Sequence, residues 1–264
     1  DNRLVGSEMC IRDRLQIVLF SMVVGIAMVS MPNEKSRPLF DLLGALQEVC
    51  MTVVKWGMKL APWAVFGLMT RVSATMGLES LLGMGVYVVT VLGALLGLVL
   101  VYVIFVGVFA RVSPWRFLGA AREVQLLAFS TSSSAAVMPL SLKTAEEKLD
   151  VRPSSARFLI PLGSTINMDG TALYQGVATI FLAQVFGVDL GLGELTLVVV
   201  TAVAGSIGAP ATPGVGIVVL ASVLQGVGIP TAGIAMILGV DRILDMSRTA
   251  VNVTGDLAAA LILD

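Results

Sequence analysis

The chain has 264 residues, 56% of them hydrophobic and 13% charged, with a formal net charge of -1 and a mean hydropathy of +0.93. This composition describes a polytopic membrane protein, and the near-zero charge offers no basic face to nucleic acid phosphates. There is no histidine, which excludes HExxH zinc peptidases, serine-histidine intramembrane proteases and histidine proton relays. The two cysteines, Cys10 and Cys50, have no paired spacing that would imply a disulfide or a metal site.

Residues 1–14, DNRLVGSEMCIRDR, are charged and lack both an apolar period and the apolar centre of a signal peptide. GSEMCIRD resembles translated sequencing-adapter sequence, so this start reads as non-native or disordered and is kept out of the fold. A spanning helix needs about 20 apolar residues. On that measure partial or complete spans are expected at Leu15–Met31, Phe40–Thr70, Leu78–Ala110, Ser154–Phe186 and Thr231–Leu263. Two regions, Ala120–Leu142 and Leu192–Gly226, have apolar arms too short to cross singly. Their tips, STSSSAAVMP (Ser130–Pro139) and SIGAPATPGVG (Ser206–Gly216), are rich in helix breakers. Such backbone survives at membrane depth only when buried in protein or lining a wet cavity, so both regions read as re-entrant hairpins.

Basic residues set the orientation. Lys35, Arg37, Arg111, Arg116, Arg122, Lys143, Lys148, Arg152 and Arg157 fall in loops between the first two spans or around the first hairpin, which places those loops in the cytoplasm. Only Arg71 lies opposite them. No lysine or arginine occurs from Phe158 to Asp241, as expected if the second hairpin enters from outside. Hairpin, broken helix, hairpin, polar helix, with the two hairpins opening to opposite faces, is the outline of an inverted repeat whose sites lie near mid-bilayer.

The fourth span is broken by GSTINMDGTALYQG, Gly163–Gly176, in which Asn167 and Asp169 are flanked by Gly163 and Gly170. Glycine permits unwinding that frees carbonyl oxygens, and hard cations such as sodium take carboxylate, amide and carbonyl oxygen. The structural alternative is that Asp169 merely caps an interrupted helix. In the last span Asp241, Asp245, Arg248, Asn252 and Asp256 stand at intervals of 4, 3, 4 and 4 and form one stripe, about 22 Å long at 1.5 Å per residue. Charges at such depth usually mark a pathway or a binding site. Arg248 suits bidentate capture of a carboxylate, and Asp245, a turn earlier, could receive an ammonium. A purely structural salt-bridge ladder is the alternative. The serine run has neither histidine nor a plausible lysine base beside it, so no enzyme activity is expected.

STSSSAAVMP, INMDGTALYQG, SIGAPATPGVG and LGVDRILDMSRTAVNVTGD together resemble the dicarboxylate/amino acid:cation symporters, which include the glutamate transporters. They occur in family order and spacing, and the resemblance covers nearly everything from Leu15 onward. It implies an all-α membrane protein of glutamate-transporter-like elevator fold, with eight transmembrane helices, two re-entrant helical hairpins and inverted repeats. This chain would then be a fragment lacking the first three helices. Residues 15–70 would be scaffold, with the end of the fourth helix and the fifth. Residues 78–264 would be the transport domain, with the sixth helix, first hairpin, seventh helix, second hairpin and eighth helix.

By the same resemblance, substrate would bind at Ser133, Ser134, Thr171, Thr212, Pro213, Gly216, Asp245, Arg248, Thr249 and Asn252. Arg248 would take the side-chain carboxylate and Asp245 the amino group. One sodium ion would sit among carbonyls of Gly163, Asn167 and Asn252 and the carboxylate of Asp256. A second would lie between Thr165 and the carbonyls of Ser206, Ile207 and Ala209. A third would involve Asn167 and Asp169, with further ligands on the third helix. The implied function is a sodium-coupled symporter of glutamate or aspartate, a homotrimer in the bacterial plasma (inner) membrane, with sodium as coupling ion and no cofactor. The alternatives are a C4-dicarboxylate substrate and, from another class, an ion channel. The chain departs from the family pattern in reading GAPATPG where many members have GTAGVPG, and in carrying Gln175 where proton-coupled animal relatives have glutamate. Lys55 and Lys59 lie outside the motifs and read as snorkelling residues or a subunit contact.

Overall fold

The computed structural model describes residues 20–21, 23–207, 209, 211 and 213–264. The expected start at 1–14, Cys10, the beginning of the first expected span, Thr212 and the side chain of Lys55 lie outside what it describes. The described residues are helical, with no strand among them, and the chain divides into two compact units, 1–68 and 69–264.

In the first unit residues 23–30 are helical, a bend follows at Met31, and helix resumes at Asn33. Phe40, Leu42, Leu46, Val49 and Trp63 are all exposed, as is Lys59. An apolar surface of this kind suits lipid or another protein surface better than water.

Helix α1 runs from Asn33 to Phe105. It is continuous through residues 71–77, where the sequence suggested a break between two spans. That stretch contains no proline and a single glycine, Gly77, so no local signal stops the helix. The part of α1 in the second unit inserts Tyr87, Val91, Leu95 and Tyr102 into the core, while Val86, Val89, Leu96, Leu100 and Ile104 remain exposed. A helix that is apolar on both its buried and its exposed sides belongs in lipid. Among the described residues Gly83–Ala110, 28 residues long, is the stretch with the length and composition to cross a membrane. The other expected spans in this unit differ for physical reasons. The polar break divides Ser154–Phe186 into two short helices, and the ionic stripe makes the last helix too polar to pass as a purely apolar span.

After a π-helical turn, Val106–Ala110, come α2 (Pro114–Thr131) and α3 (Ser134–Glu147). Ser132 turns the chain in the left-handed conformation (φ 51°), and Ser133 caps α3 by accepting from the Ala136 N–H. Arg116 at the start of α2 pairs with Asp150 just past α3 (2.5 Å), and Lys148 pairs with Glu123 (2.9 Å), so the two helices run out and back. Helix α4 (Pro153–Ile166) begins on a proline, which is tolerated there, and α5 (Asp169–Val185) follows after two non-helical residues, Asn167 and Met168. Next come α6 (Leu192–Ser206) and α7 (Val215–Gly226), short apolar helices that pack on each other.

A 3-10 turn, Thr231–Gly233, leads into α8 (Ile234–Leu263), which is buried along most of its length between Leu244 and Ala260 and packs against α2, α3, α4, α5 and α7. The charged ends of α3 and α4 and the end of α8 are tied by Arg157–Glu146 (3.2 Å) and Arg152–Asp264 (2.8 Å). Hydrogen bonds from Ser155 and Arg152 hold the Asp264 carboxyl below its ordinary range.

The approach of α6 to α7 is set by Gly205, where a Cβ would lie 2.6 Å from Cγ1 of Val219. Gly205→Ala should lower stability by about 1–3 kcal/mol through overpacking, and adding Val219→Ala should restore at least half of that loss. Thermal unfolding of both variants in detergent checks this. A single variant as stable as the parent would contradict the close approach.

Candidate functional site

The stripe on α8 supplies the centre. Asp241, Asp245, Arg248, Thr249, Asn252 and Asp256 are each no more than 6% exposed. Arg248 donates a short hydrogen bond from Nη2 to Oδ1 of Asp245, and its guanidinium carbon lies 4.5 Å from the centre of the Tyr174 ring, a cation–π distance. Its Nη1 is buried with no hydrogen-bond partner. Gly216 at the start of α7 makes room for this head: a Cβ there would meet the guanidinium at 2.3–2.6 Å. Asp245 also accepts from the Gly214 N–H at 3.2 Å, and the Thr249 hydroxyl returns to the Asp245 carbonyl.

One turn further along, Asn252 joins α8 to the break between α4 and α5. Its Oδ1 accepts from the Gly170 N–H (2.9 Å), which an unbroken helix would have given to the carbonyl four residues earlier. Its Nδ2 donates to Thr171 Oγ1 (3.1 Å). Gly170 is tight here as well, a Cβ meeting Asn252 Oδ1 at 2.8 Å. A further turn brings Asp256 beside the break: Asn167 Nδ2 donates to its Oδ1 (3.1 Å), and a Cβ on Gly163 would lie 2.6 Å from that same oxygen. Asp169 accepts from the Tyr102 hydroxyl (2.7 Å) and Asp241 from the Tyr174 hydroxyl (2.8 Å).

The charge balance is one-sided. Asp245 has Arg248, and Arg242 approaches it at 3.8 Å. Asp169, Asp241 and Asp256 have neutral hydrogen-bond partners and, among the described residues, no ion pair. A buried ionised carboxylate without a counter-charge is expensive, and that cost falls most on Asp256; Asp241 has the Arg248 charge nearby and Asp169 is only half-buried.

Ser132, Ser134, Thr171, Gly216, Asp245, Arg248, Thr249 and Asn252, together with Met168, Ala209, Ala211 and Val215, line a cavity of only about 20 Å³. That is room for about one water. Ser133 does not line it; instead its hydroxyl donates to the Ala211 carbonyl (2.8 Å) and ties the first tip to the second. Pro213 is half-buried and lies outside the lining. Of the first expected sodium set, Gly163, Asn167 and Asp256 come together. The second set is divided. Ser206 and Ile207 line an open cavity of about 690 Å³ with Asn167 and Asp169, whereas Ala209 packs on Met168 and faces the small cavity. The Thr165 hydroxyl, exposed, turns back to the Leu162 carbonyl. Ser132, Tyr174 and Tyr102 carried no sequence assignment. Ser132 and Tyr174 sit inside the quoted motifs, but Tyr102 is an ordinary residue of an apolar helix and gave no signal.

Comparison with known proteins shows the family to which the chain belongs. The family model described as the sodium:dicarboxylate symporter family matches residues 3–264. The chain is 39% identical over 252 residues to the proton/sodium-glutamate symport protein of Bacillus subtilis, covering 95% of this chain and 58% of that one. It is 36% identical over 259 residues to the proton/glutamate-aspartate symporter of Escherichia coli, covering 98% and 59%. It is 39% identical over 253 residues to excitatory amino acid transporter 1 of Ambystoma tigrinum, covering 95% and 46%. The chain therefore spans about half the length of the curated relatives it matches. The motifs, the helical fold and the match over residues 3–264 make it a member of the sodium:dicarboxylate symporter family.

Proposed function

We propose that the protein is a secondary active symporter that couples sodium influx to uptake of an acidic amino acid, glutamate or aspartate. The observation that carries this reading is the pairing of opposite deficits within one buried site. Beside its bond to Asp245 and its contact with the Tyr174 ring, Arg248 keeps an N–H with no hydrogen-bond partner among the described residues, while Asp169 and Asp256 have neutral hydrogen-bond partners and, among the described residues, no ion pair. A substrate carboxylate answers the first deficit and sodium the second. The relatives' names, which speak of glutamate, aspartate and sodium, support the same pair.

In this reading the 20 Å³ cavity is the closed form of the substrate site. The substrate carboxylate replaces Asp245 on Arg248, which releases Asp245 to accept the ammonium. Parting of the Ser133–Ala211 bond frees the way in. Asn252 stands one helical turn from both Arg248 and Asp256, so an ion that orders the Gly163–Asn167–Asp256 corner also orders the Asn252 that faces substrate. Each ligand thereby lowers the cost of binding the other. The two tips are read as re-entrant hairpins entering from opposite sides, residues 78–264 as a transport domain moving in elevator fashion against a scaffold that includes residues 15–70, and the assembly as a homotrimer. We read the membrane as a bacterial plasma membrane; the relatives include bacterial and animal transporters of similar identity.

Proteoliposomes containing the protein test this directly, by uptake of labelled aspartate, glutamate, succinate and serine with and without a sodium gradient. Concentrative, sodium-driven uptake of the acidic amino acids is expected. Preference for succinate would give the dicarboxylate reading, and flux that never exceeds equilibrium would give a channel.

Three variants make the residue roles specific. Arg248→Cys should weaken binding of acidic substrates by about 3–5 kcal/mol, a factor of hundreds or more, and weaken serine or alanine less than tenfold in competition assays; a uniform loss would make Arg248 structural. Asp256→Asn should raise the half-saturating sodium concentration by about tenfold or more, because the amide keeps an oxygen but loses the charge; unchanged sodium dependence in a normally folded variant would remove Asp256 from the ion site. Gly216→Ala should displace the guanidinium and reduce aspartate binding by about tenfold or more. Wild-type affinity in that variant would mean that α7 has room the structure does not show.

A further inference from the structure

Tyr102 was not suggested by any motif, yet it reaches the cation corner. It is 8% exposed on α1, and its hydroxyl donates to Oδ2 of Asp169 at 2.7 Å. The same oxygen packs against α8 at Gly255, where a Cβ would lie 2.9 Å from it and 2.8 Å from Nδ2 of Asn167. The hydroxyl of Tyr102 and the amide of Asn167 therefore converge over one glycine. Asp256 follows that glycine directly in sequence and accepts from Asn167 at 3.1 Å. A phenol whose O–H donates to a carboxylate keeps its oxygen lone pairs for another partner, and hard cations collect such oxygens.

We propose that Tyr102 is a residue of the cation site, its phenol oxygen joining Asn167, Asp169 and Asp256 around one small monovalent cation. This rests on the reading of Asp169 and Asp256 as cation residues. Tyr102 steers Asp169 with its proton and offers a neutral oxygen to the ion, while Gly255 keeps the space between them clear. Without this hydroxyl, Asp169 would lose its one hydrogen-bond donor on α1, and the ion would lose an oxygen.

The test is the rise in thermal unfolding midpoint of the purified protein with sodium chloride, ionic strength held constant with choline chloride, since an ion that binds only the folded state raises stability in proportion to ln(1 + [Na]/Kd). Tyr102→Phe keeps the ring and should raise the half-saturating sodium concentration about five- to tenfold, the net worth of one ordinary hydrogen bond. The ratio of aspartate to serine affinity at saturating sodium should not change. Gly255→Ala, which pushes on the same oxygen, should shift the sodium response in the same direction. An unchanged sodium response in Tyr102→Phe, alongside a weakened one in Asp256→Asn, would overturn the proposal and leave the cation reading standing. A lowered sodium-free midpoint with an unaltered sodium response would also overturn it, making Tyr102 a packing residue. If Asp256→Asn and Tyr102→Phe both keep the parent's sodium response, the cation reading itself falls.

Discussion

The structure is organised around the cost of keeping charge away from water. Asp241, Asp245, Arg248 and Asp256 are buried on α8, with the half-buried Asp169 beside them, and in a low-dielectric setting a buried charge without partners is costly. Helix α8 therefore cannot face lipid. Other helices of its unit pack around it, and several polar groups reach the stripe: a tyrosine and the Gly170 N–H from α5, Asn167 from the break, and the Gly214 N–H from the second tip, while a tyrosine from α1 reaches Asp169 at the start of α5. Even so, the accounting does not close with protein atoms alone. Among the described residues Asp256 is buried with only neutral protein partners.

Close approach is the second requirement, and glycine meets it. Gly163 lets Asp256 lie against the end of α4, Gly170 admits Asn252, Gly216 admits Arg248, and Gly255 admits Tyr102 and Asn167. At each of these four positions even a methyl group would collide with a polar atom of the site. The two-residue break at Asn167 and Met168 works with them, because it redirects the Gly170 N–H from its own helix to a side chain on α8. A continuous helix would satisfy its own backbone and have nothing to offer α8.

The small cavity follows from the same forces. Arg248 bonds to Asp245 and lies over Tyr174, and the space left beside them is about the size of one water. Among the described residues a side-chain-to-backbone bond from Ser133 to Ala211 joins the tips, of a kind worth about 1 kcal/mol net.

Much of this was legible in the sequence. Composition declared a membrane protein, the intervals of 4, 3, 4 and 4 placed Asp241, Asp245, Arg248, Asn252 and Asp256 on one helical face, and serine, proline and glycine clusters marked the tips and the break. These are local signals, set by helical periodicity and backbone propensity. What the sequence could not give was partnership across long separations. That Tyr174 carries Arg248, that Asn252 joins Gly170 to Thr171, and that Tyr102 reaches Asp169 were decided only when the helices packed. The helical run through residues 71–77 shows the converse: hydropathy suggested a stop, but no residue there enforces one. Periodicity can say which side chains share a face, because that depends on the turn of one helix. Which group stands opposite them depends on how several helices fill one volume, and only the tertiary structure settles that.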